Sequence, residues 1–279
     1  MGEFMIHKEY FVLSNGIKIP KLGFGTWQIP NEKACECCLY ALRSGYRHID
    51  TAKAYGNEEG VGEAIKASKL NREDIFITSK VPAEVKTYEG AKRCIEESLD
   101  FLGVDFIDLM LIHAPRPWDE MRWDFEYRYY KENIEVYRAL EEAYEQGKIK
   151  SLGVSNFSID DLKNIFNNSK IKPMVNQICV FIGETPIELI EFCQKEDILV
   201  EAYSPLGTGR LFKNEFVKQH ADKYGVSVAQ LAIRYTYQLG TLPLPKSVNP
   251  DHILNNMDIN GFTISDEDME ALKKYNIWG

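Results

Sequence analysis

His48-Ile49-Asp50-Thr51-Ala52-Lys53-Ala54-Tyr55-Gly56-Asn57-Glu58-Glu59 sets a strand, an acid, a phenol and a helix start side by side. The apolar-flanked run from Tyr46 to Ile49 predicts a short strand ending on Asp50, with Tyr55 in the turn that follows. Asn57 is placed as the N-cap of the next helix, with Glu58 and Glu59 where acids favour the positive end of the helix dipole. Two further strand-like runs end as abruptly on charged or titratable groups. Ile75-Phe76-Ile77-Thr78-Ser79 ends on Lys80, and Ile107-Asp108-Leu109-Met110-Leu111-Ile112 ends on His113. Successive parallel strands would bring Asp50, Tyr55, Lys80 and His113 to one rim of one sheet.

The pattern repeats in both directions from there. Residues 10–20 read as a β-hairpin turned at Asn15-Gly16, a pair that tolerates positive φ at both positions. Strands are then expected at 22–25, 46–50, 75–80, 106–113, 151–154, 174–178, 198–203 and 242–245. Helices are expected at 32–44, 58–68, 88–102, 133–146, after Ser158, and at 186–195, 215–224, 228–239 and 266–274. Pro186 suits a first helical position. The eighth strand, Leu242-Pro243-Leu244-Pro245, is poor by propensity but falls where one is needed. Eight strand–helix units without a linker predict an α/β fold: a single (β/α)8 TIM barrel with an N-terminal β-hairpin, one domain over 1–279. Met1-Gly2-Glu3-Phe4 ahead of Met5 reads as an added leader and carries no structural weight. The rival, a doubly wound sheet, needs a dinucleotide fingerprint. Gly23-Phe24-Gly25 lacks a third glycine, and Gly60-Val61-Gly62 lies inside a helical pattern.

Composition narrows the function classes. With 279 residues, 44% hydrophobic and 27% charged, the chain can bury a large core. A net charge of -9 argues against nucleic-acid or anionic-membrane partners, so any phosphate must be held by a local site. No run approaches a membrane span, and no secretory leader opens the chain. Cys35, Cys37, Cys38, Cys94, Cys179 and Cys193 lack metal-ligand spacing and read as reduced thiols of a cytoplasmic protein. No metal is expected, and a monomer is the default.

In a barrel of this kind the active site lies at the C-terminal ends of the strands. Those ends carry Asp50 and Tyr55, Lys80, His113, Ser155-Asn156, Gln177, Tyr203-Ser204 and Lys246-Ser247. A tyrosine titrates near pH ~10, too high to exchange protons easily at neutrality. A lysine cation beside it favours the phenolate, and Asp50 would keep that lysine charged. His113 can hydrogen-bond a substrate oxygen. The set suits proton donation to a carbonyl oxygen while a hydride reaches its carbon. A nicotinamide ring would need an aromatic face, such as Tyr203, and amide partners, such as Asn156 and Gln177. His48, inside a strand, reads as a packing or supporting histidine.

The chain resembles the aldo-keto reductases from Gly23-Phe24-Gly25-Thr26-Trp27 to Lys246-Ser247-Val248-Asn249-Pro250. The motifs between these are Asp50-Thr51-Ala52-x-x-Tyr55-Gly56-Asn57-Glu58, Lys80, Ile112-His113, Gly153-Val154-Ser155-Asn156-Phe157, Asn176-Gln177 and Ala202-Tyr203-Ser204-Pro205-Leu206-Gly207. It is most similar to members grouped with 2,5-diketo-gluconate reductases and prostaglandin F synthases. The resemblance implies reduction of aldehydes or ketones by NADP(H), with NAD(H) as an alternative. It implies Tyr55 as proton donor, Lys80 and Asp50 as its tuners, and His113 as the carbonyl-orienting residue. It implies Ser155, Asn156 and Gln177 on the carboxamide, Tyr203 on the nicotinamide face, and Ser204, Leu206 and Gly207 along the pyrophosphate. Lys246 and Ser247 would meet the 2′-phosphate, with Thr26, Val248, His252 and Asn256 also on the cofactor. Trp27, Tyr55, His113 and Trp118 would meet the substrate.

Three departures stand out. His252 replaces a frequent arginine and cannot offer its bidentate fork to a phosphate. Asn255 replaces a frequent glutamate. An insertion at 116–131, with Trp118, Trp123, Phe125, Tyr127, Tyr129 and Tyr130, replaces the usual rim aromatics and, with Trp27 and Trp278, is placed to line a substrate pocket or to pack on itself. Two rival functions share these residues: a Schiff-base aldolase using Lys80, and a non-catalytic cofactor- or partner-binding barrel.

Overall fold

The computed structural model describes residues 9–121 and 127–278. Strands β1 (Tyr10–Val12) and β2 (Lys18–Pro20) pair antiparallel as the hairpin. Its turn is longer than the two-residue form the sequence suggests. Leu13 N–H reaches Ile17 O, and only Gly16, at φ +84°, is left-handed. Asn15 instead sends its side-chain amide to Lys150 O at 3.0 Å, tying the hairpin to a loop between barrel elements.

Eight parallel strands follow: β3 (Phe24–Gly25), β4 (His48–Asp50), β5 (Phe76–Val81), β6 (Leu109–Ile112), β7 (Leu152–Ser155), β8 (Val175–Cys179), β9 (Leu199–Tyr203) and β10 (Leu242–Leu244). Each pairs with the next in order. The last seam, β10 to β3, closes through two one-way bonds: Gly23 N–H to Pro243 O at 3.1 Å and Gly25 N–H to Pro245 O at 3.0 Å. Pro243 and Pro245 have no N–H to return. That explains how a proline-rich eighth strand is tolerated, because it only needs to accept.

Helices α1 (Asn31–Ser44), α2 (Glu58–Ser68), α3 (Tyr88–Leu102), α4 (Trp118–Met121), α5 (Tyr130–Glu145), α6 (Ile159–Asn168), α7 (Ile187–Lys195), α8 (Glu215–Tyr224), α9 (Val228–Gln238), α10 (Pro250–Asn255) and α11 (Asp266–Lys274), with short 3₁₀ turns at Lys53–Tyr55, Arg72–Asp74 and Gly207–Lys213, complete the described elements. Ser158 opens α6 and Ser227 opens α9, each through a reciprocal capping box. Pro186 stands one residue before α7, at its N-cap, rather than at the first helical position. Asn57 precedes α2 but makes no cap bond. Its side chain accepts from Thr51 Oγ1 at 2.7 Å and donates to Thr26 O and Ile29 O at 3.0 and 2.9 Å. It therefore staples the loop after β3 to the loop after β4.

Gly60 and Gly62 also have a structural role. A Cβ on Gly62 would stand 2.4 Å from Leu102 O, and one on Gly60 would stand 2.6 Å from Asn31 O. These glycines let α2 pack close to the end of α3 and the start of α1.

The apolar core lies largely between strands and helices, where Ile49, Ile77, Ile112, Leu152, Val154 and Val200 are buried on the outer face of the sheet. Inside the barrel the filling is different. Barrel interiors are usually packed with branched aliphatics; here Leu109 and Leu111 keep to that pattern beside Thr78 and Lys80, but His48, Thr78, Lys80, Gln177 and Glu201, all buried, share the space. A polar plug of this kind must be hydrogen-bonded throughout or it is costly. Among the described residues no helix is long and apolar enough to cross a membrane.

Candidate active site

Register sets the site. Gly25 pairs with Asp50 and Asp50 with Thr78, while Ser155 pairs with Gln177 and Gln177 with Glu201, so the site is drawn from six strands. Lys80 lies two residues above Thr78 on β5 and faces the same interior. Its ammonium donates to Asp50 Oδ1 and Oδ2 at 2.9 and 2.8 Å and to Thr51 O at 2.8 Å. Tyr55 closes a short 3₁₀ turn (Lys53–Tyr55), and its hydroxyl lies 3.4 Å from the same Nζ. The phenol, ammonium and carboxylate expected from sequence therefore form one contiguous chain.

His113 follows β6 and is buried, its ring edge-on to Tyr55 at 5.5 Å and to Trp118 at 5.2 Å. Nδ1 of His113 has no hydrogen-bond partner. Burial, reinforced by the Lys80 charge, pushes its pKa down to about 3, so the ring is neutral at pH 7. Lys80 keeps its proton: burial disfavours the charge, but Asp50, with Tyr55 and Glu201, outweighs it and raises the pKa. Tyr55 departs from the sequence expectation. Burial raises its pKa more than Lys80 lowers it, so the net direction is upward and the resting hydroxyl is protonated. The cation's part is to stabilise a phenolate once formed, rather than to create one at rest.

Asp50, Tyr55 and His113 line a cavity of about 740 Å³, with Lys80 buried behind them. Trp27, Trp118 and Phe212 give it apolar walls, and Ser155, Asn156, Gln177 and Tyr203 line it as well. Asn156 and Ser204, at φ +62° and +52°, take the left-handed conformation that β-barrel loops usually reserve for glycine. Asn156 is held there by Nδ2 donating to His113 O at 3.1 Å and Ser155 Oγ at 3.0 Å, and by Tyr203 O–H donating to its Oδ1 at 2.8 Å. Ser155 Oγ donates in turn to Gln177 O at 2.8 Å. Pro205, Leu206, Thr208 and Gly209 continue the wall, Gly209 at φ +91°.

Several predicted contacts stand off the wall. Thr26 is buried and donates to Asp50 O at 3.0 Å, so it braces the β4 end from behind. Gly207 is buried against Phe181, where a Cβ would stand 3.0 Å from that ring. Lys246 is on the cavity wall, whereas Ser247, Val248 and His252 lie beyond it and Asn256 is buried at the end of α10. Ser247 Oγ accepts from Asn249 N–H at 3.0 Å.

Among the described residues of the insertion, only Trp118 lines the cavity. Tyr127 and Tyr129 pack on each other at 4.7 Å, Tyr129 donates to Glu120 at 2.8 Å, and Tyr130 is exposed. Trp123 and Phe125 lie outside the described residues. Trp278 lies off the wall, over Arg210 at 5.1 Å.

One residue was missed altogether. Glu201 is completely buried in β9, and Gln177 Nε2 donates to its Oε2 at 2.8 Å and to Asp50 Oδ2 at 2.7 Å. Its other oxygen has no hydrogen-bond partner and faces His48 Nε2 at 3.7 Å, while that nitrogen bonds Thr78 Oγ1 at 2.9 Å. Burial, with the Asp50 charge nearby, raises the Glu201 pKa to about 8, although Gln177 and Lys80 pull the other way. A lone acid amid Leu199-Val200 and Ala202 was the available signal.

The model of the Aldo/keto reductase family matches residues 21–277. The chain belongs to the aldo/keto reductase family. Glyoxal reductase of Bacillus subtilis is 40% identical over 270 residues, 96% of this chain and 93% of that protein. An aldo/keto reductase crystal structure from Brucella melitensis superimposes with a TM-score of 0.87 at 40% identity, covering 95% and 98% of the two chains. A Bombyx mori aldo-keto reductase in complex with NADP gives 0.86 at 31% identity, covering 96% and 92%. The barrel with its hairpin is thus the aldo/keto reductase architecture, and the chain is an NAD(P)H-dependent oxidoreductase of carbonyl groups.

Proposed function

We propose that this aldo/keto reductase converts small aldehydes and ketones to alcohols with NADPH, with Tyr55 as the proton donor. We take it to work as a single-domain cytoplasmic monomer without metal or nucleic acid. The observation that carries the reading is the Asp50–Lys80–Tyr55 chain against an indole-walled cavity.

The donor set suits the cofactor. Gln177 and Asn156 offer amide partners for a carboxamide, Tyr203 an aromatic face, and Lys246 a cation on the wall for a phosphate. Backbone groups of Leu206, Thr208 and Gly209 border the span between. NADPH, when bound, supplies a hydride to the carbonyl carbon. The chain's own residues handle the oxygen. Tyr55 O–H donates its proton there as charge develops, and the adjacent Lys80 ammonium stabilises the phenolate left behind. Asp50 holds Lys80 charged and aimed. Neutral His113 donates one ring N–H to the same oxygen and fixes its approach.

Lys246 and the NADP-bound silkworm relative favour NADPH. Exposed His252 lacks the arginine fork, so NADH should serve more weakly rather than not at all. The Bacillus relative supports two-carbon dicarbonyls among the substrates. The aldolase alternative loses ground because Lys80 is wholly buried and triply hydrogen-bonded in its charged form.

The test is consumption of NADPH and of NADH with glyoxal, methylglyoxal and aromatic aldehydes. NADPH oxidation at more than tenfold the kcat/KM of NADH is expected. Cofactor binding without oxidation by any carbonyl would remove the proposal.

A further inference from the structure

The four-residue chemistry proposed above does not use Glu201, yet this carboxyl is buried and bonded to a residue on the cavity wall. The amide nitrogen of Gln177 has two hydrogens, and both are engaged: one on Asp50 Oδ2 at 2.7 Å, the other on Glu201 Oε2 at 2.8 Å. An amide offers two donors at one end and an acceptor at the other. With both donors turned into the barrel, Gln177 has only its carbonyl oxygen to present to the cavity that it lines.

We propose that Glu201 is a positioning residue: by accepting from Gln177 Nε2 it locks that amide with its oxygen towards the cavity, where it reads the NH₂ of the nicotinamide carboxamide. The inference rests on the NADPH reading above. Asp50 alone would engage only one of the two hydrogens. In that case the other would be buried without a partner, a state that favours turning the amide over. Glu201 makes the flip cost two bonds instead of one. It also joins the two halves of the site. Asp50 holds Lys80 with the same carboxylate that receives Gln177, so the proton donor and the carboxamide reader are fixed against one another. Register reinforces the arrangement, because Gln177 and Glu201 are direct partners on β8 and β9 and point to the same side.

The experiment compares binding of NADPH with binding of adenosine 2′,5′-bisphosphate, which lacks the nicotinamide, by calorimetry. Glu201→Leu should raise the NADPH Kd about tenfold and leave the bisphosphate Kd within twofold. Glu201→Gln keeps an acceptor oxygen of the same shape and should hold both within twofold. Equal weakening of the two ligands by Glu201→Leu, no weakening at all, or a Glu201→Gln as impaired as Glu201→Leu would each overturn the assignment. A second measurement does not depend on the leucine variant folding. In the wild-type protein, both Gln177 Nε2 hydrogens should resist solvent exchange before NADPH is added, and rapid exchange would contradict the lock. A wild-type protein that binds adenosine bisphosphate no less tightly than NADPH would instead reject the underlying nicotinamide reading.

Discussion

The Lys80 ammonium touches both oxygens of Asp50, at 2.9 and 2.8 Å, with neither residue more than a few per cent exposed. A buried pair of this kind is a poor source of net stability, because desolvation offsets the attraction. Its value lies in fixing a cation beneath Tyr55. Breaking it from one side is another matter.

Lys80→Met leaves Asp50 charged in the barrel without its counter-ion. The variant should lose about 3–5 kcal/mol of unfolding free energy, as one-sided disruption of a buried pair does. The chemical step should slow by about 10²–10⁴-fold. Urea unfolding and single-turnover rates check both numbers. A variant with unchanged stability would mean that Asp50 is solvated in a way the burial denies.

Stability should also bend with pH in a way set by the barrel interior. His48 and His113 have folded pKa values of about 3, against 6.5 for the free side chain. As pH falls below about 6.5, the unfolded chain takes up protons that the native state refuses, so stability declines towards acid. Glu201 acts in the opposite sense. Its folded pKa of about 8 stands above the free value of 4.5, so its contribution is whole below about 4.5 and is lost as pH rises to about 8. Wild type minus Glu201→Gln should therefore narrow by up to about 1.4 kcal/mol per pH unit between these limits. A pH-independent difference would show that Glu201 ionises normally.

Gly62→Ala sets propensity against packing. Alanine gains about 1 kcal/mol in a helix interior. Its methyl group, however, would stand 2.4 Å from the backbone oxygen of Leu102, which no side-chain rotation relieves. Overpacking at about 1–3 kcal/mol should prevail. A lower Tm with normal kcat is expected, and a raised Tm would mean that α2 and α3 separate freely.

Much of this was legible in the sequence, and the reasons are specific. Strand ends carrying Asp50, Lys80 and His113 stood out because apolar runs stop on them, and a barrel gathers such ends at one face. The helices expected near 58–68, 88–102, 215–224 and 266–274 lie where the apolar periodicity places them, as α2, α3, α8 and α11. What escaped depends on tertiary contact. Asn57 has the sequence of a cap and the job of a staple. Glu201 looks like one acid in a strand until β8 sets Gln177 beside it. The net rise in the Tyr55 pKa could not be foreseen, since burial and the lysine charge oppose each other and only packing decides between them. The short helix α10 had its signal in Asn249-Pro250, an N-cap followed by proline, which went unused.

The central claim is that the Tyr55 hydroxyl delivers the proton. It is tested most directly by Tyr55→Phe in a single-turnover measurement of NADPH oxidation with saturating aldehyde, alongside NADPH affinity. A hydride-transfer rate reduced by at least about 10²-fold, with the cofactor Kd within twofold of wild type, is the expected result. Transfer at the wild-type rate in a variant lacking that hydroxyl would contradict the account.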